Sequence, residues 1–257
     1  MNNKILIIGY GVVGHNLYRE IEKLKPDVYD KYKRYFNTKR KVTYDFAFIC
    51  VDTPYINKDN VFDLTAVYDA LAHNDARIYI IKSTILPGTT QQLNNKLKEL
   101  GKEDRQVIFS PEYYGGTQHC NNFDFNYTIL GGDKQACRKV QQLLQHVYDA
   151  RHTFHIVDST TAELAKYMEN SWLAMKVSFC NQFFDLANKL DSDYETLREL
   201  FILDPRVNPS HTFVYEEKPY WDSHCLNKDV PAIAYACGAD LLKAVIDFNE
   251  ARKNKKE

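Results

Sequence analysis

A glycine-rich turn near the start of the chain constrains the fold more than any other segment. The turn, Gly9-Tyr10-Gly11-Val12-Val13-Gly14, follows the apolar run Lys4–Ile8 and precedes a helical pattern. Glycines at these positions permit a tight turn after a strand and let the backbone approach a pyrophosphate, which the helix N-terminus holds. The turn therefore predicts a dinucleotide-binding βαβ unit, although a purely structural strand–turn–helix connection would show the same pattern.

Short β-rich runs alternate with helical patterns through the first half of the chain. Strands are predicted at Lys4–Ile8, Val28–Tyr29, Tyr44–Val51, Arg77–Lys82, Gln106–Phe109, Tyr127–Leu130 and Thr153–Val157. Helices are predicted at Val12–Leu24, Asp63–Ala72, Thr89–Leu100 and Asp133–Tyr148. This alternation predicts an α/β fold with a mainly parallel, Rossmann-type doubly wound sheet. We expect this dinucleotide-binding domain to cover about residues 1–150.

The strands stop after about residue 158, and a long helix follows. Residues 160–190 contain neither proline nor glycine, and their apolar positions recur at helical spacing. Thr160 and Glu163 fit a capping box at its start. We therefore predict an all-helical domain over about residues 151–257 that forms a homodimer through helix 160–190. Further helices are predicted at Asp193–Leu203, Lys228–Cys237 and Ala239–Lys253.

Composition argues against several classes of function. The formal net charge of −1 is unlike that of a nucleic-acid-binding or membrane-surface protein, which usually carries a basic stripe. No apolar run is long enough to cross a bilayer. The six cysteines are dispersed and lack C-x-x-C spacing, so neither disulfides nor a metal site is expected. These features predict a cytoplasmic protein without a metal centre.

Asp30 is the acidic residue expected about twenty positions after the glycine turn. It follows the second predicted strand, where a carboxylate can accept a hydrogen bond from the ribose of a dinucleotide. Because a carboxylate would repel a 2′-phosphate, Asp30 favours NAD over NADP. Lys31, Lys33 and Arg34 leave that preference open, although this basic segment is expected to be a solvated loop.

Two pairs of polar residues in the second half carry the candidate chemistry. Cys225 and Asp229 are four residues apart, as are Lys166 and Asn170, so on helices each pair would share one face. A thiol, a carboxylate, an ammonium and an amide would together suit oxidation through a covalent thiol intermediate. The alternatives are a buried structural thiol, a solvated lysine and an asparagine that only hydrogen-bonds within its helix.

Six segments, in order, resemble the UDP-glucose/GDP-mannose dehydrogenase family. They are GYGVVG (9–14), FICVDTP (48–54), IKSTILPGTT (81–90), FSPEYYGG (109–116), AELAKYMENSWLAMKVSF (162–179) and SHCLNKD (223–229). The tail, LLKAVIDFNEAR (241–252), is similar to the helix that leads out of the family's central domain. Six ordered matches are far more specific than a glycine motif alone, so the chain is identified as a member of this family.

The resemblance implies a two-step oxidation of a nucleotide sugar, by default UDP-glucose, at its C6 alcohol to the uronic acid with two NAD⁺. Cys225 would hold the aldehyde as a thiohemiacetal and then the acid as a thioester. Lys166 would stabilise the oxyanion, with Asn170 hydrogen-bonding alongside it. Asp229 would transfer protons with the help of a water held by Thr84.

The resemblance also assigns further contacts. Glu112 matches the glutamate that assists thioester hydrolysis, and Arg206 matches an arginine that reaches across a dimer to the substrate. The resemblance assigns Val51, Thr53, Ser83, Thr84 and Lys228 to the cofactor, and Glu112, Tyr113, Tyr114, Lys166, Asn170 and Arg206 to the substrate.

Elementary chemistry supports the same roles independently. Attack requires a thiolate, and Cys225 lies just before a predicted helix start, where the helix dipole lowers the pKa of a thiol. Lys166 would place a fixed positive charge where an alkoxide forms. Asp229 is the nearest carboxylate in the same motif that could accept the proton of the alcohol.

The chain departs from the family's pattern in three respects. The resemblance stops at the linking helix, so we expect a short form that lacks the family's C-terminal nucleotide-sugar-binding domain. The segment between Asp30 and Phe46 is shorter than in the family. Near the cysteine, Asp222-Ser223 replaces Gly-Gly and Leu226-Asn227 replaces Phe-Pro, while a second glutamate of the family falls at Gly116. Because Gly-Gly lets backbone amides approach a sugar, its loss predicts a changed substrate loop.

Two other functions fit parts of this sequence. A single-step hydroxyacid-type dehydrogenase would use Lys166 and Asn170 and would leave Cys225 without a role. A catalytically inactive NAD-binding scaffold would need only the glycine turn and the fold around it. The number of NADH molecules formed per sugar distinguishes these alternatives from the two-step oxidation.

Overall fold

The computed structural model describes residues 3–33, 42–57, 62–113 and 125–255, which form two compact units. The first unit contains the described residues up to Lys166, apart from Asn57, and the second contains those from Tyr167 onward. The division falls within one long helix. The predicted domain boundary near residue 150 lies before the strand Thr153–Val157. That strand belongs to the first unit, because it pairs with the sheet.

The first unit contains one seven-stranded sheet over the described residues. The strands are β1 (Ile5–Ile8), β2 (Asp27–Tyr29), β3 (Thr43–Ile49), β4 (Asp75–Ile81), β5 (Gln106–Phe109), β6 (Tyr127–Gly131) and β7 (Thr153–Val157). Their order is β2-β1-β3-β4-β5-β6-β7, and every neighbouring pair is parallel except β5 with β6. The predicted α/β class with a mainly parallel, doubly wound sheet is confirmed.

Eight α-helices are formed by the described residues. They are α1 (Val12–Ile21), α2 (Thr65–His73), α3 (Thr89–Glu99), α4 (Lys134–Leu144), α5 (Ser159–Lys189), α6 (Tyr194–Phe201), α7 (His224–Ala236) and α8 (Asp240–Lys253), and a 3-10 turn, Glu22–Leu24, follows α1. The long helix and the helical second half are therefore confirmed. Within the described ranges, a bilayer could not be spanned by any helix, since none combines sufficient length with sufficient apolarity.

The sheet is buried on both faces, which explains why its strands have continuous apolar runs rather than alternating ones. Successive side chains of a strand point to opposite faces. In β1, Leu6 and Ile8 accordingly belong to one apolar cluster, and Ile5 and Ile7 belong to the other. Helices α2 and α3 cover the first face, while α1 and α4 cover the second.

The strand order reverses at β1, and this places a crevice at one edge of the sheet. Ile8 of β1 aligns with Tyr29 of β2 and with Ile49 of β3, so the three strands end at the same level. In open α/β sheets, ligands bind beyond the carboxyl ends of the strands at such a reversal. The glycine turn and Asp30 both follow strands that end there.

Among the helix starts, the cap of α5 and the first residue of α7 differ most from the sequence prediction. The predicted capping box of Thr160 and Glu163 is wrong: the Asp158 carboxylate caps α5 by accepting the Thr161 N–H at 2.9 Å and the Thr161 hydroxyl at 2.6 Å. Helix α7 begins four residues before the predicted start at Lys228, because Ser223 Oγ accepts the Leu226 N–H at 3.2 Å and caps the helix there. Cys225 therefore lies inside the first turn of α7 rather than before it.

Candidate functional site

A cavity of about 740 Å³ lies at the carboxyl ends of β1, β2 and β3. The glycine turn, the ends of β2 and β3 and one side of α2 form its walls. Its lining consists of residues 8–11, 29–32, 50–52, 54, 63, 65, 66, 69, 70, 73 and 74. The cavity thus occupies the crevice that the strand order predicts, and it contains the candidate residues Gly9, Tyr10, Gly11, Asp30 and Val51.

The three glycines of the turn have different physical roles. A methyl group added at Gly14 would lie 2.0 Å from the Gly9 carbonyl oxygen, and one added at Gly9, where φ is +90°, would lie 2.5 Å from the Cys50 carbonyl oxygen. A methyl group at Gly11 would meet no atom within 4 Å. Gly9 and Gly14 therefore permit close packing of the turn, whereas Gly11 keeps its surface open beside the cavity. A tight turn with an open surface lets a pyrophosphate approach the backbone and the N-terminus of α1, which begins with Val12 and Val13.

Asp30 links the glycine turn to the end of β2. One carboxylate oxygen accepts the Tyr10 N–H at 2.7 Å, and the other accepts the N–H groups of Tyr32 and Lys33 at 2.8 and 3.0 Å. The Lys33 ammonium donates to the Tyr10 carbonyl oxygen and lies 5.1 Å from the centre of the Tyr10 ring. Because a carboxylate has about four acceptor positions, three hydrogen bonds leave capacity for a ribose hydroxyl.

The charge of the cavity lining fits a nucleotide without a 2′-phosphate. The lining includes Asp30, Asp52, Asp63 and Asp69 as well as Lys31, whose ammonium pairs with Asp69 at 3.5 Å. An excess of carboxylates would repel a further phosphate. Residues 34–41, which include Arg34, lie outside the described residues.

The loops that follow β3 and β4 are joined by two candidate cofactor residues. Ser83 Oγ donates to the Val51 carbonyl oxygen at 2.6 Å, and Thr53 Oγ1 donates to the Thr84 carbonyl oxygen at 2.7 Å. Both hydroxyl groups belong to buried residues. In this structure, Thr53 and Ser83 therefore stabilise the edge of the crevice through the backbone.

Glu112 forms an ion pair that the sequence did not suggest. Its carboxylate lies 3.0 Å from the Lys82 ammonium, the two side chains are 16% and 10% exposed, and its other oxygen accepts the Tyr113 N–H at 2.8 Å. Ile81 at the end of β4 is paired with Phe109 at the end of β5. Lys82 and Glu112 therefore both lie just beyond the carboxyl ends of these adjacent strands. The position of Lys82 directly before Ser83 in a family segment is the signal that could have identified it.

Lys166 is buried in α5, and its ammonium lies 4.6 Å from the centre of the Tyr113 ring. The electron-rich face of an aromatic ring attracts a cation, and the attraction is stronger away from water. The structure therefore does not place Lys166 as a solvated helix lysine. Asn170 follows one turn later on the same helix and is also buried.

Asp229 is the centre of a buried polar cluster in the second unit. Asn170 Nδ2 donates to one of its carboxylate oxygens at 2.6 Å, and the Lys228 ammonium lies 2.5 Å from the other. The Asp229 side chain is 1% exposed and that of Lys228 13%. Asn170 and Asp229, one member of each predicted pair, thus meet across α5 and α7. The ammonium of Lys228, a predicted cofactor residue, also contacts Asp229.

Cys225 differs from most described cysteines in its exposure. Burial raises the pKa of the Cys50 and Cys137 thiols to about 12 and also raises that of Cys180, so these thiols are protonated at neutral pH. Cys225 and Cys237 are exposed, and Cys225 lies in the first turn of α7. Cys225 is therefore not a buried structural thiol.

Two departures from the family's pattern contact each other beside this thiol. Asn227 Nδ2 donates to Asp222 at 2.7 Å, and the Lys218 ammonium pairs with the same carboxylate at 2.8 Å. The hydrogen bonds from Lys218 and then from Asn227, with the nearby charge of Lys253, lower the pKa of Asp222 to about 2. The residues that replace the glycine pair thus anchor the loop and, through Ser223, cap α7.

The remaining predicted residues are placed as follows. Arg206 is exposed and pairs with Asp204 at 2.5 Å. Tyr114 and Gly116 lie outside the described residues. No group of three or more histidine, cysteine, aspartate or glutamate side chains within the described ranges is arranged to hold a metal ion.

Comparison with known proteins matches both halves of the chain. Residues 18–152 match the NAD binding domain of the UDP-glucose/GDP-mannose dehydrogenase family, and residues 160–251 match its central domain. The match to the first of these domains confirms NAD as the cofactor.

Among similar proteins, the UDP-glucose 6-dehydrogenase of Rickettsia bellii is 29% identical over 236 residues, which are 86% of this chain and 52% of that protein. Among solved structures, a UDP-glucose dehydrogenase from Pyrobaculum islandicum and a UDP-D-ManNAc dehydrogenase from Pyrococcus horikoshii each have a TM-score of 0.79 at 22% identity. They cover 97% and 96% of this chain, and the matches cover 68% of each of theirs. The chain spans about half the length of the UDP-glucose 6-dehydrogenases it matches.

Proposed function

Because the chain belongs to the UDP-glucose/GDP-mannose dehydrogenase family, we propose that it oxidises a nucleotide sugar at its C6 alcohol to the uronic acid. The observation that carries the proposal is the location of an exposed thiol, Cys225, and a buried, hydrogen-bonded carboxylate, Asp229, one turn apart on α7. UDP-glucose is the default substrate, since similar proteins are named for it; others are named for UDP-linked mannosamine.

Apart from Lys228, the residues proposed to bind the cofactor belong to the first unit. Gly11 and the start of α1 would hold the pyrophosphate, and Asp30 would hold a ribose hydroxyl, at the edge that Val51, Thr53, Ser83 and Thr84 complete. Bound NAD⁺ supplies the hydride acceptor for the reaction.

Asp229 and Lys166 would handle the charge that develops at the sugar oxygen. The Asp229 carboxylate, oriented by Asn170 and Lys228, would accept the proton of the C6 alcohol. The Lys166 ammonium would stabilise an oxyanion, because a fixed cation in a site that excludes water is worth more than one in solution.

Cys225 would make the second oxidation possible. Its thiolate would add to the C6 aldehyde to give a thiohemiacetal, and oxidation of that species would leave a thioester on the same sulfur. Hydrolysis would release the carboxylate and restore the thiol. Glu112, oriented by Lys82 and the Tyr113 N–H, would assist the attacking water, and Thr84 would help to hold a water for proton transfer.

The decisive experiment counts NADH per sugar oxidised, with Cys225→Ser measured in parallel. We expect two NADH per sugar from the natural chain and at most one from the variant, because a serine hydroxyl does not form the thioester. Cys237→Ser is the matched control, since it removes the exposed thiol at the other end of α7 and should leave the stoichiometry at two. The measurement is absorbance of NADH together with mass spectrometry of the sugar product.

Two other results would overturn the proposal. A single NADH per sugar, unaffected by Cys225→Ser, would support the hydroxyacid-type dehydrogenase that uses Lys166 and Asn170. NAD binding without turnover on UDP-glucose, UDP-N-acetylmannosamine or GDP-mannose would support the inactive scaffold.

We also propose a homodimer that pairs the exposed apolar face of α5 with that of a second copy. Large apolar side chains recur along one side of this helix, and contiguous exposed apolar surface of this kind marks an interaction site. Phe179 also lies near Phe183 and Phe201, with ring centres 4.8 and 6.1 Å apart, which extends the apolar surface to α6. The exposed residues on α5 are Leu164, Met168, Trp172, Phe179, Phe183 and Leu186.

A charge placed on this face is expected to separate the dimer. Trp172→Glu should change the mass in solution from that of a dimer to about 30 kDa, because a desolvated carboxylate has no cation to pair with at a self-complementary apolar contact. Leu241→Glu, an equally apolar and exposed position on α8, is the control and should remain dimeric. Light scattering during gel filtration gives the masses; a natural chain that is monomeric at micromolar concentration contradicts the proposal.

A further inference from the structure

Glu163 is a fully buried carboxylate that early α5 directs into the first unit. One oxygen accepts the Gly88 N–H at 2.6 Å. The other accepts both the N–H of Thr90 at 2.8 Å and its hydroxyl at 2.6 Å. All three donors lie at the start of α3, more than 70 positions earlier in the chain.

These contacts replace a local helix cap. Gly88 occupies the N-cap position of α3 at φ +90° and has no side chain with which to bind the first N–H groups of the helix. A carboxylate at a helix N-terminus satisfies such donors and interacts favourably with the helix dipole. Burial nevertheless raises the pKa of Glu163, since loss of water outweighs the stabilising hydrogen bonds from Thr90 and Gly88. Glu163 therefore supplies the cap of α3 from a distant part of the chain.

The two segments that Glu163 joins both carry candidate site residues. The loop between β4 and α3 contains Ser83 and Thr84, which are themselves fixed to the loop after β3. On the other side, Lys166 follows Glu163 by three residues, so it lies about one helical turn away on α5. The early part of α5 is also packed tightly on the sheet, because a methyl group at Gly131 would lie 2.4 Å from Ala162 Cβ.

We propose that Glu163 is a positioning residue that fixes the turn of α5 bearing Lys166 to the loop bearing Ser83 and Thr84. The distance between the Lys166 ammonium and the Ser83–Thr84 edge of the cofactor crevice is then held constant. The catalytic consequence rests on the proposed function, whereas the mechanical link between the two segments does not.

Glu163→Gln tests the link with little change in size. The amide retains one acceptor oxygen, but its NH₂ group faces an N–H donor, so at least one of the three hydrogen bonds is lost. We expect amide hydrogen exchange to accelerate about tenfold in both residues 83–90 and residues 160–166, since one hydrogen bond to a charged group is worth roughly that factor or more. Glu103→Gln, an exposed position after α3, is the matched control and should exchange as the natural chain does.

Kinetics provide a second readout that a purely structural role would not change. At a temperature where the variant is fully folded, kcat for the first NADH should fall about tenfold while KM for the sugar changes less than about twofold, because misplacement affects the reacting geometry more than binding. Thr90→Val removes only the hydroxyl contact and should change both readouts in the same direction but less. The double variant should show less than the sum of the two effects.

Different results separate the possible failures. Accelerated exchange confined to the start of α3, with normal exchange over 160–166 and normal kcat, would make Glu163 only a cap and overturn the inference. If the natural chain binds NAD⁺ but oxidises no sugar, the proposed function fails while the exchange data still decide the link. If Glu163→Gln does not fold, Thr90→Val must reproduce the coupled exchange, and its failure to do so overturns the inference.

Discussion

Gly14→Ala is expected to lower the free energy of unfolding by about 1–3 kcal/mol and to abolish NAD binding, because the core of the glycine turn has no room for a side chain. The new methyl group would lie 2.0 Å from the Gly9 carbonyl oxygen and 3.4 Å from Cys50 Cβ. Gly9 cannot move away, since the site of its own missing Cβ is 2.5 Å from the Cys50 carbonyl oxygen. The turn must therefore open and displace the start of α1. Thermal unfolding and calorimetric titration with NAD⁺ measure the two effects.

Gly11→Ala is the matched control that separates folding from binding. A methyl group there meets no atom within 4 Å, and Gly11 has φ −75°, which any residue adopts. The variant should unfold at the temperature of the natural chain but bind NAD⁺ about tenfold or more weakly, because the methyl group occupies space that the pyrophosphate needs beside the backbone. Equal stability losses at Gly11 and Gly14, or normal NAD⁺ affinity in both variants, would contradict this assignment of the glycines.

The sheet could be predicted from the sequence because its strands are buried on both faces. Each is a short apolar run, and glycine or proline marks many of the connections, so β5 and β7 begin and end at the predicted residues. Strands β3 and β4 begin one and two residues before their predicted starts and end two and one before their predicted ends. These shifts of one or two residues occur at the strand ends, which is where the limits of an element are least well determined.

Helix starts were harder to predict, because the hydrogen bonds that cap a helix depend on the folded structure and not only on which residues lie near its start. Glu163 fits a capping box with Thr160, yet it binds Gly88 and Thr90, which lie far away in sequence. The position of Pro231 favours a start of α7 only a few residues before it, since proline is best tolerated in the first turn of a helix. The cap supplied by Ser223 nevertheless extends the helix back to His224, which brings Cys225 into its first turn.

The candidate site was predicted as a set of residues but not as a set of contacts. Four-residue spacing indicated that Asn170 and Asp229 belong to helical faces, and their hydrogen bond is consistent with that. Sequence spacing gave no indication that Lys82 would pair with Glu112, since only the register of β4 with β5 places them together. Nor could it indicate that Asp222 and Asn227, two departures from the family, bind each other.

Asp229→Asn is expected to lower turnover by a factor of about 10²–10⁴, because it removes the carboxylate proposed to accept the alcohol proton. It should also lower the free energy of unfolding by about 3 kcal/mol, since the Lys228 ammonium, 13% exposed, would lose the carboxylate beside it. The new amide would also have to turn its oxygen toward Asn170 Nδ2 to keep the hydrogen bond that the carboxylate accepts. NADH formation and denaturant-induced unfolding measure the two effects.

Two further variants separate the charge from the chemistry. Asp229→Asn combined with Lys228→Met should be less destabilised than the sum of the single variants, because both charges of the pair are then removed together. Asp240→Asn removes an exposed carboxylate that pairs with Lys243 at 3.0 Å, and should match the natural chain in stability and turnover. Additive losses in the double variant would show that Lys228 and Asp229 are not energetically coupled. Normal turnover in Asp229→Asn would exclude it as the proton acceptor, whatever its effect on stability.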